Sequence, residues 1–100
     1  MPAQKTLVAL VDGLGPEYIE RSEMPNLRRL VAGGIYKVGR SVIPSVTNVN
    51  NASVVTGSFP AEHGIVSNFY FDPRSGESVM MESADFLLRP TLFELSLIHI

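Results

Sequence analysis

The chain has 100 residues, 45% of them hydrophobic and 18% charged, with eight Lys and Arg against ten Asp and Glu for a formal charge of −2. That is the size of one small domain with an ordinary globular composition, which excludes a disordered tail, and its slight acidity offers no basic footprint for nucleic acid. The absence of cysteine excludes disulfides, a thiolate zinc site and a thiol nucleophile, so a metal here rests on Asp, Glu, His or hydroxyl oxygen.

In chain order, Thr6–Val11 is a continuous apolar, partly β-branched run closed by Asp12-Gly13. It fits a strand buried on both faces of a parallel sheet. Leu7–Val11 is too short to span a bilayer or to act as a secretory signal, so the expected compartment is the cytoplasm, with no membrane partner. Pro16 opens a short helix through Glu20, and Pro25 opens a second, with Leu27, Leu30 and Val31 on one face and Arg28 and Arg29 nearer solvent, ended by Gly33-Gly34. Ile35–Ile43 alternates loosely and reads as a second strand stopped by Pro44. Thr47–Thr56 reads as a helix closed by Gly57, and Phe59–Ser67 as a loop. Asn68–Phe71 and Ser78–Met81 pair as a hairpin across Asp72–Gly76, and Thr91 starts another helix. The order suits an α/β layered fold with a mostly parallel sheet between helices. A strand as apolar as Leu7–Val11 needs more neighbours than this chain supplies, so the expectation is part of a larger domain.

Three residues stand out for chemistry. Asp12 lies at the C-terminal end of the first expected strand, where open α/β sheets bind ligands; it is either a cation ligand or the cap of its own loop. Thr47 lies where a helix begins. Its hydroxyl is either an N-cap, the commoner role, or a reactive group held in the positive field of the helix start. Its neighbours Asn48, Asn50 and Asn51 favour the second reading, because amides are costly to bury without partners. Asn68 is either a turn residue or an amide donor to a phosphoryl or carbonyl oxygen. His63 fits a histidine bonded to local backbone better than a metal ligand.

Val11-Asp12-Gly13-Leu14-Gly15-Pro16 with Met24-Pro25-Asn26-Leu27 resembles the opening of the alkaline phosphatase superfamily, in its nucleotide pyrophosphatase/phosphodiesterase-like branch. Pro44-Ser45-Val46-Thr47, Val54-Val55-Thr56-Gly57, Pro60-Ala61-Glu62-His63-Gly64-Ile65 and Asn68 continue the resemblance, which covers residues 6 to about 94. Phosphodiesterases of the branch usually follow the threonine with Phe-Pro-Asn-His. Asn48-Val49-Asn50-Asn51 here is instead similar to the members that cleave the C–P bond of phosphonoacetate.

The resemblance implies a metal-dependent hydrolase with two zinc ions per site and a small-molecule phosphonate or phosphoester substrate. Asp12 and Thr47 would be metal ligands. Thr47 would be the nucleophile, its oxygen metal-bound and deprotonated, forming a phospho-threonine. Asn68 would bind the substrate and stabilise the charge on its oxygens. The full-length protein is expected to be a homodimer. Family members are several times longer, with most metal ligands and the lysines expected to hold the substrate carboxylate beyond position 100. Residues 1–94 are therefore expected to be the N-terminal piece of such a catalytic domain, inactive alone. Leu95-Ser96-Leu97-Ile98-His99-Ile100 reads as the translation of a sequencing adapter and stands outside fold and site reasoning. Two other readings remain open: a phosphodiesterase or pyrophosphatase with the same machinery, and a non-catalytic piece.

Overall fold

A computed structural model describes residues 4–98. They divide into two units, Met1–Gly39 and Arg40–Ile100. In the first, prolines start both helices, α1 (Pro16–Arg21) and α2 (Pro25–Gly33), because proline fixes the helical φ and lacks an N–H that the first turn leaves unpaired anyway. Arg28 of α2 grips the end of α1. Its guanidinium donates to the carbonyls of Glu20 (3.2 Å) and Ser22 (3.0 Å) and, more weakly, of Ile19 (3.4 Å). Those are carbonyls that a helix C-terminus leaves without intrahelical partners.

The second unit holds α3 (Thr47–Thr56), α4 (Pro60–His63), an antiparallel hairpin of β1 (Phe69–Asp72) and β2 (Glu77–Met80), a 3₁₀ turn at Ala84–Phe86 and α5 (Leu92–Ile98). Gly57 ends α3 at φ +62°, a left-handed geometry open to glycine without strain. The segment Phe59–Ser67, expected as a loop, contains the single turn α4. Pro60 starts that turn, and the Glu62 carboxylate accepts the Phe59 N–H at 3.3 Å. The hairpin forms as expected, with Phe71 opposite Ser78, and the bond from the Met81 N–H to the Asn68 carbonyl at 2.8 Å extends it by one step. At α5, Thr91 and Glu94 form a reciprocal capping box: the Thr91 N–H donates to Glu94 Oε2 and the Glu94 N–H to Thr91 Oγ1. Of the suspected adapter tail, His99 and Ile100 lie outside the described residues.

The core of this unit is small. Val49 and Ala52 of α3 pack with Ile65 and Met81, flanked by Val42, Val46, Tyr70, Phe86 and Leu87. Tyr70 and Phe86 meet edge to face at 5.9 Å. α3 is thus held by Ile65 of the α4–β1 connection and by Met81 just after β2.

The parallel sheet is not found among the described residues. Thr6–Val11 and Ile35–Ile43 carry no ladder bonds there, and the sheet present is the two-stranded hairpin. A strand is a pairing, not a property of one segment: without neighbours to complete the ladder and helices to cover both faces, an apolar run stays solvent-exposed. Leu7 and Ile35 are each 91% exposed and Ile43 89%. No helix among the described residues is long and apolar enough to cross a membrane. Exposed apolar runs with unpaired backbone favour association. The 100-residue chain expressed alone is expected to elute as a heterogeneous, associated species. A monodisperse monomer by light scattering with a cooperative thermal transition would contradict this.

Candidate functional site

α3 begins on a residue that cannot cap it. Val46 is the N-cap and has no side-chain oxygen, while Thr47 is the first helical residue and exposed. The capping oxygen comes instead from Asn68, twenty residues downstream, whose Oδ1 accepts the Asn48 backbone N–H at 3.0 Å. That bond satisfies one donor of the first turn. A backbone N–H only donates, so the amide must present its oxygen to Asn48 and its NH₂ the other way. The orientation of the Asn68 amide is therefore fixed beside the peptide that follows Thr47.

Asn48 and Asn50 also have side-chain partners. Asn48 Nδ2 donates to the Met81 carbonyl at 3.0 Å. Asn50 spans the approach to α3, accepting the Val42 N–H on Oδ1 (3.2 Å) and donating to the Val46 carbonyl (3.0 Å). Asn51 is exposed and, with Asn48, borders a cleft of about 310 Å³ whose floor is Ala52, Val55, Ile65 and Met81. The polar front half of α3 thus meets the cost of burying amides by bracing the loop before the helix and the hairpin after it.

Thr47 and Asn68 are brought to one helix start by these bonds. Asp12 belongs to the other unit, in the turn it forms with Gly13, and is exposed. Among the described residues no group of three or more His, Cys, Asp or Glu could hold a metal ion. One carboxylate and one hydroxyl fall short of the four donors zinc takes. The residues present do not by themselves make a zinc site.

His63 is fully buried and wholly engaged. Nδ1 accepts the Ile65 N–H at 3.1 Å, and Nε2 lies 2.9 Å from Ser53 Oγ, which lies 2.9 Å from the Val49 carbonyl. With Nδ1 accepting, the neutral ring carries its proton on Nε2 and donates to Ser53, whose hydroxyl donates onward to Val49. Gly64 follows at φ +86°, a left-handed geometry that strains any side chain, and a Cβ there would also push on the Leu88 side chain at 2.9 Å. These contacts place His63 between α3 and α4 as a structural strut and leave no lone pair for a metal.

Burial holds the His63 pKa below its ordinary 6.5, and the neighbouring Glu62 carboxylate, which pulls the other way, is outweighed. The sign follows. Above pH 6.5 the ring is neutral in both folded and unfolded chains. As pH falls below that, the unfolded chain binds the proton first, so stability declines until the folded value is passed. A histidine-selective NMR titration of the full-length protein should give His63 a midpoint below 6.5, with melting temperature falling from pH 7.5 to 5.5. A midpoint at or above 6.5 would contradict the neutral strut. Asn68→Ala should also cost about 1 kcal/mol of stability through the lost cap, whereas Asn68→Asp, which keeps the acceptor, should recover most of it; denaturant melts of the two variants check this.

The chain matches the family described as type I phosphodiesterase / nucleotide pyrophosphatase over residues 6–95. An uncharacterized pyrophosphatase/phosphodiesterase of Schizosaccharomyces pombe is 32% identical over 91% of this chain and 19% of its own length. Ectonucleotide pyrophosphatase/phosphodiesterase family member 1 of Homo sapiens is 35% identical over 80% of this chain and 9% of its own. Among solved structures, phosphonoacetate hydrolase from Sinorhizobium meliloti 1021 in complex with phosphonoacetate superposes with a TM-score of 0.73 at 42% identity, over 87% of this chain and 22% of that one. Its complex with phosphonoformate gives 0.64 at 46% identity, over 75% of this chain and 18% of that one. The chain thus spans about a fifth or less of the length of these relatives.

Proposed function

Starting from the membership of this chain in the type I phosphodiesterase / nucleotide pyrophosphatase family, we propose that the protein carrying it hydrolyses the C–P bond of phosphonoacetate, with Thr47 as nucleophile and Asn68 as the donor to the phosphonate. The observation that carries the reading is the Asn68 amide, held with its NH₂ edge turned from the peptide that follows Thr47. The likeness to phosphonoacetate hydrolase at 42% identity supports the substrate.

In the first step Thr47 loses its proton to water and Oγ1 attacks phosphorus. The Oγ1–P bond forms as the C–P bond breaks. The electron pair leaves on carbon, where the adjacent carboxylate delocalises it, and a proton from water completes acetate. Asn68 Nδ2 donates to the phosphonate oxygens as their charge grows, and the partial positive end of α3 adds to that field. Water then attacks phosphorus, the Oγ1–P bond breaks, phosphate departs and Thr47 regains its proton. On this reading Asp12, and Thr47 through the same oxygen, would hold zinc, which would supply the positive charge that lowers the hydroxyl pKa. The other donors, the lysines for the carboxylate and the strands that pair with Thr6–Val11 come from the longer protein, of which these residues are one piece. The 100 residues alone do not turn over.

A second reading keeps the same residues and replaces the substrate by a phosphodiester or pyrophosphate. The 32–35% identity to pyrophosphatase/phosphodiesterases supports it. Comparing phosphonoacetate with a nucleotide phosphodiester as substrate for the full-length protein decides between them.

In that protein Thr47→Ala should abolish phosphate release while leaving zinc content largely intact. Thr47→Ser should keep part of the activity, since it loses only the methyl that restrains the rotamer. Asn68→Ala should lower turnover roughly 10²–10³-fold, the usual cost of one donor to a developing oxyanion. Asp12→Ala should lose zinc and activity together. Steady-state phosphate release alongside zinc analysis checks all four, and near-normal turnover by Thr47→Ala would end the nucleophile assignment.

A further inference from the structure

Asn48, Asn68 and Met81 close a circuit of three hydrogen bonds. The Asn48 N–H donates to Asn68 Oδ1 (3.0 Å), the Met81 N–H to the Asn68 carbonyl (2.8 Å), and Asn48 Nδ2 to the Met81 carbonyl (3.0 Å). Each donor and acceptor in it is chemically unambiguous, because two donors are backbone N–H groups and the third faces a carbonyl that only accepts. The circuit joins the first turn of α3 to both sides of the hairpin root, and Asn48 is the member that touches both.

From this circuit we infer that Asn48 is a positioning residue for the reaction, acting through Asn68. The inference rests on the reading of Asn68 as the donor to the phosphonate. A capping bond alone fixes which edge of the Asn68 amide faces the helix, but not where the Asn68 backbone sits relative to Thr47. The Asn48 side chain supplies that second restraint by holding the Met81 carbonyl, and Met81 in turn holds the Asn68 carbonyl. With its Oδ1 bonded to the peptide that follows Thr47 and its backbone carbonyl linked through Met81 to the Asn48 side chain, the Asn68 NH₂ has one direction to point before substrate arrives. Donors fixed in advance at the place where charge develops lower the barrier without reorganising at the moment of reaction. Met81 is buried and Asn48 and Asn68 half-buried, so water competes little for the bonds of the circuit. The half-buried site and the side chain's bond to the Met81 carbonyl also separate Asn48 from its exposed neighbour Asn51.

The test is a double-mutant cycle in the full-length protein with phosphonoacetate as substrate. Asn48→Ala should lower kcat about 10- to 100-fold, the scale of a misplaced catalytic group, with KM changed less than threefold. In an Asn68→Ala background the same substitution should lower kcat less than twofold further, since the group it positions is gone. If the two losses multiply, Asn48 serves stability or substrate binding only and the inference falls, while Asn68 keeps its role. If Asn68→Ala alone leaves kcat unchanged, the functional reading of Asn68 falls and takes the inference with it. Thermal melts accompany each variant. Should Asn48→Ala fail to fold, Asn48→Ser, which keeps a hydroxyl donor in a shorter side chain, runs through the same cycle with the same criterion.

Discussion

The start of α3 is held from outside the helix, and the arrangement of the second unit follows from that. Val46 offers the first turn no oxygen, so the orphan N–H of Asn48 has to find one elsewhere or remain unpaired in a half-buried position. Asn68 provides it, and in doing so brings the entrance of the hairpin to the helix. The small core follows: Val49 and Ala52 face Ile65 and Met81 because the residues on either side of them are already pinned. The His63–Ser53–Val49 chain does the same for α4. Two sets of polar restraints thus keep one ten-residue helix in register where the apolar packing alone is thin.

The helices were legible in the sequence because their signals are local. Pro16, Pro25 and Gly57 act through their own φ angles, and Thr91 with Glu94 through a three-residue spacing. The hairpin was legible too, since Asp72–Gly76 is turn chemistry between two apolar runs. What the sequence leaves open is non-local. Thr6–Val11 has the composition of a central strand, but composition does not supply the neighbours that make one, and none pairs with it among the described residues. The short α4 was hidden inside a segment whose Pro and Gly read as loop.

The candidate site shows the same division. That Thr47 opens a helix and that Asn48 and Asn50 need partners could be read from residue types alone. Which partners they have could not: Asn48 reaches a carbonyl thirty-three residues away, and Asn68 a peptide twenty residues back. Asp12 was singled out by its place after an apolar run and by resemblance, and it lies in the first unit. The asparagines favoured a reactive Thr47 because buried amides need partners; Asn48 and Asn50 find theirs as braces, and the Asn48 brace holds Asn68.

The range of these contacts along the chain has a consequence for synthesis. Arg28 grips carbonyls six to nine residues away, so α1 and α2 can settle as soon as both have left the ribosome. In the first turn of α3, Asn50 also meets early partners in Val42 and Val46, whereas those of Asn48 come later. Its cap arrives with residue 68 and its brace with residue 81, and short isolated helices are marginal in water until packing fixes them. Thr47 is therefore translated well before Asn68 and Met81, and the start of α3 takes its final form only after the hairpin has emerged and closed back onto it.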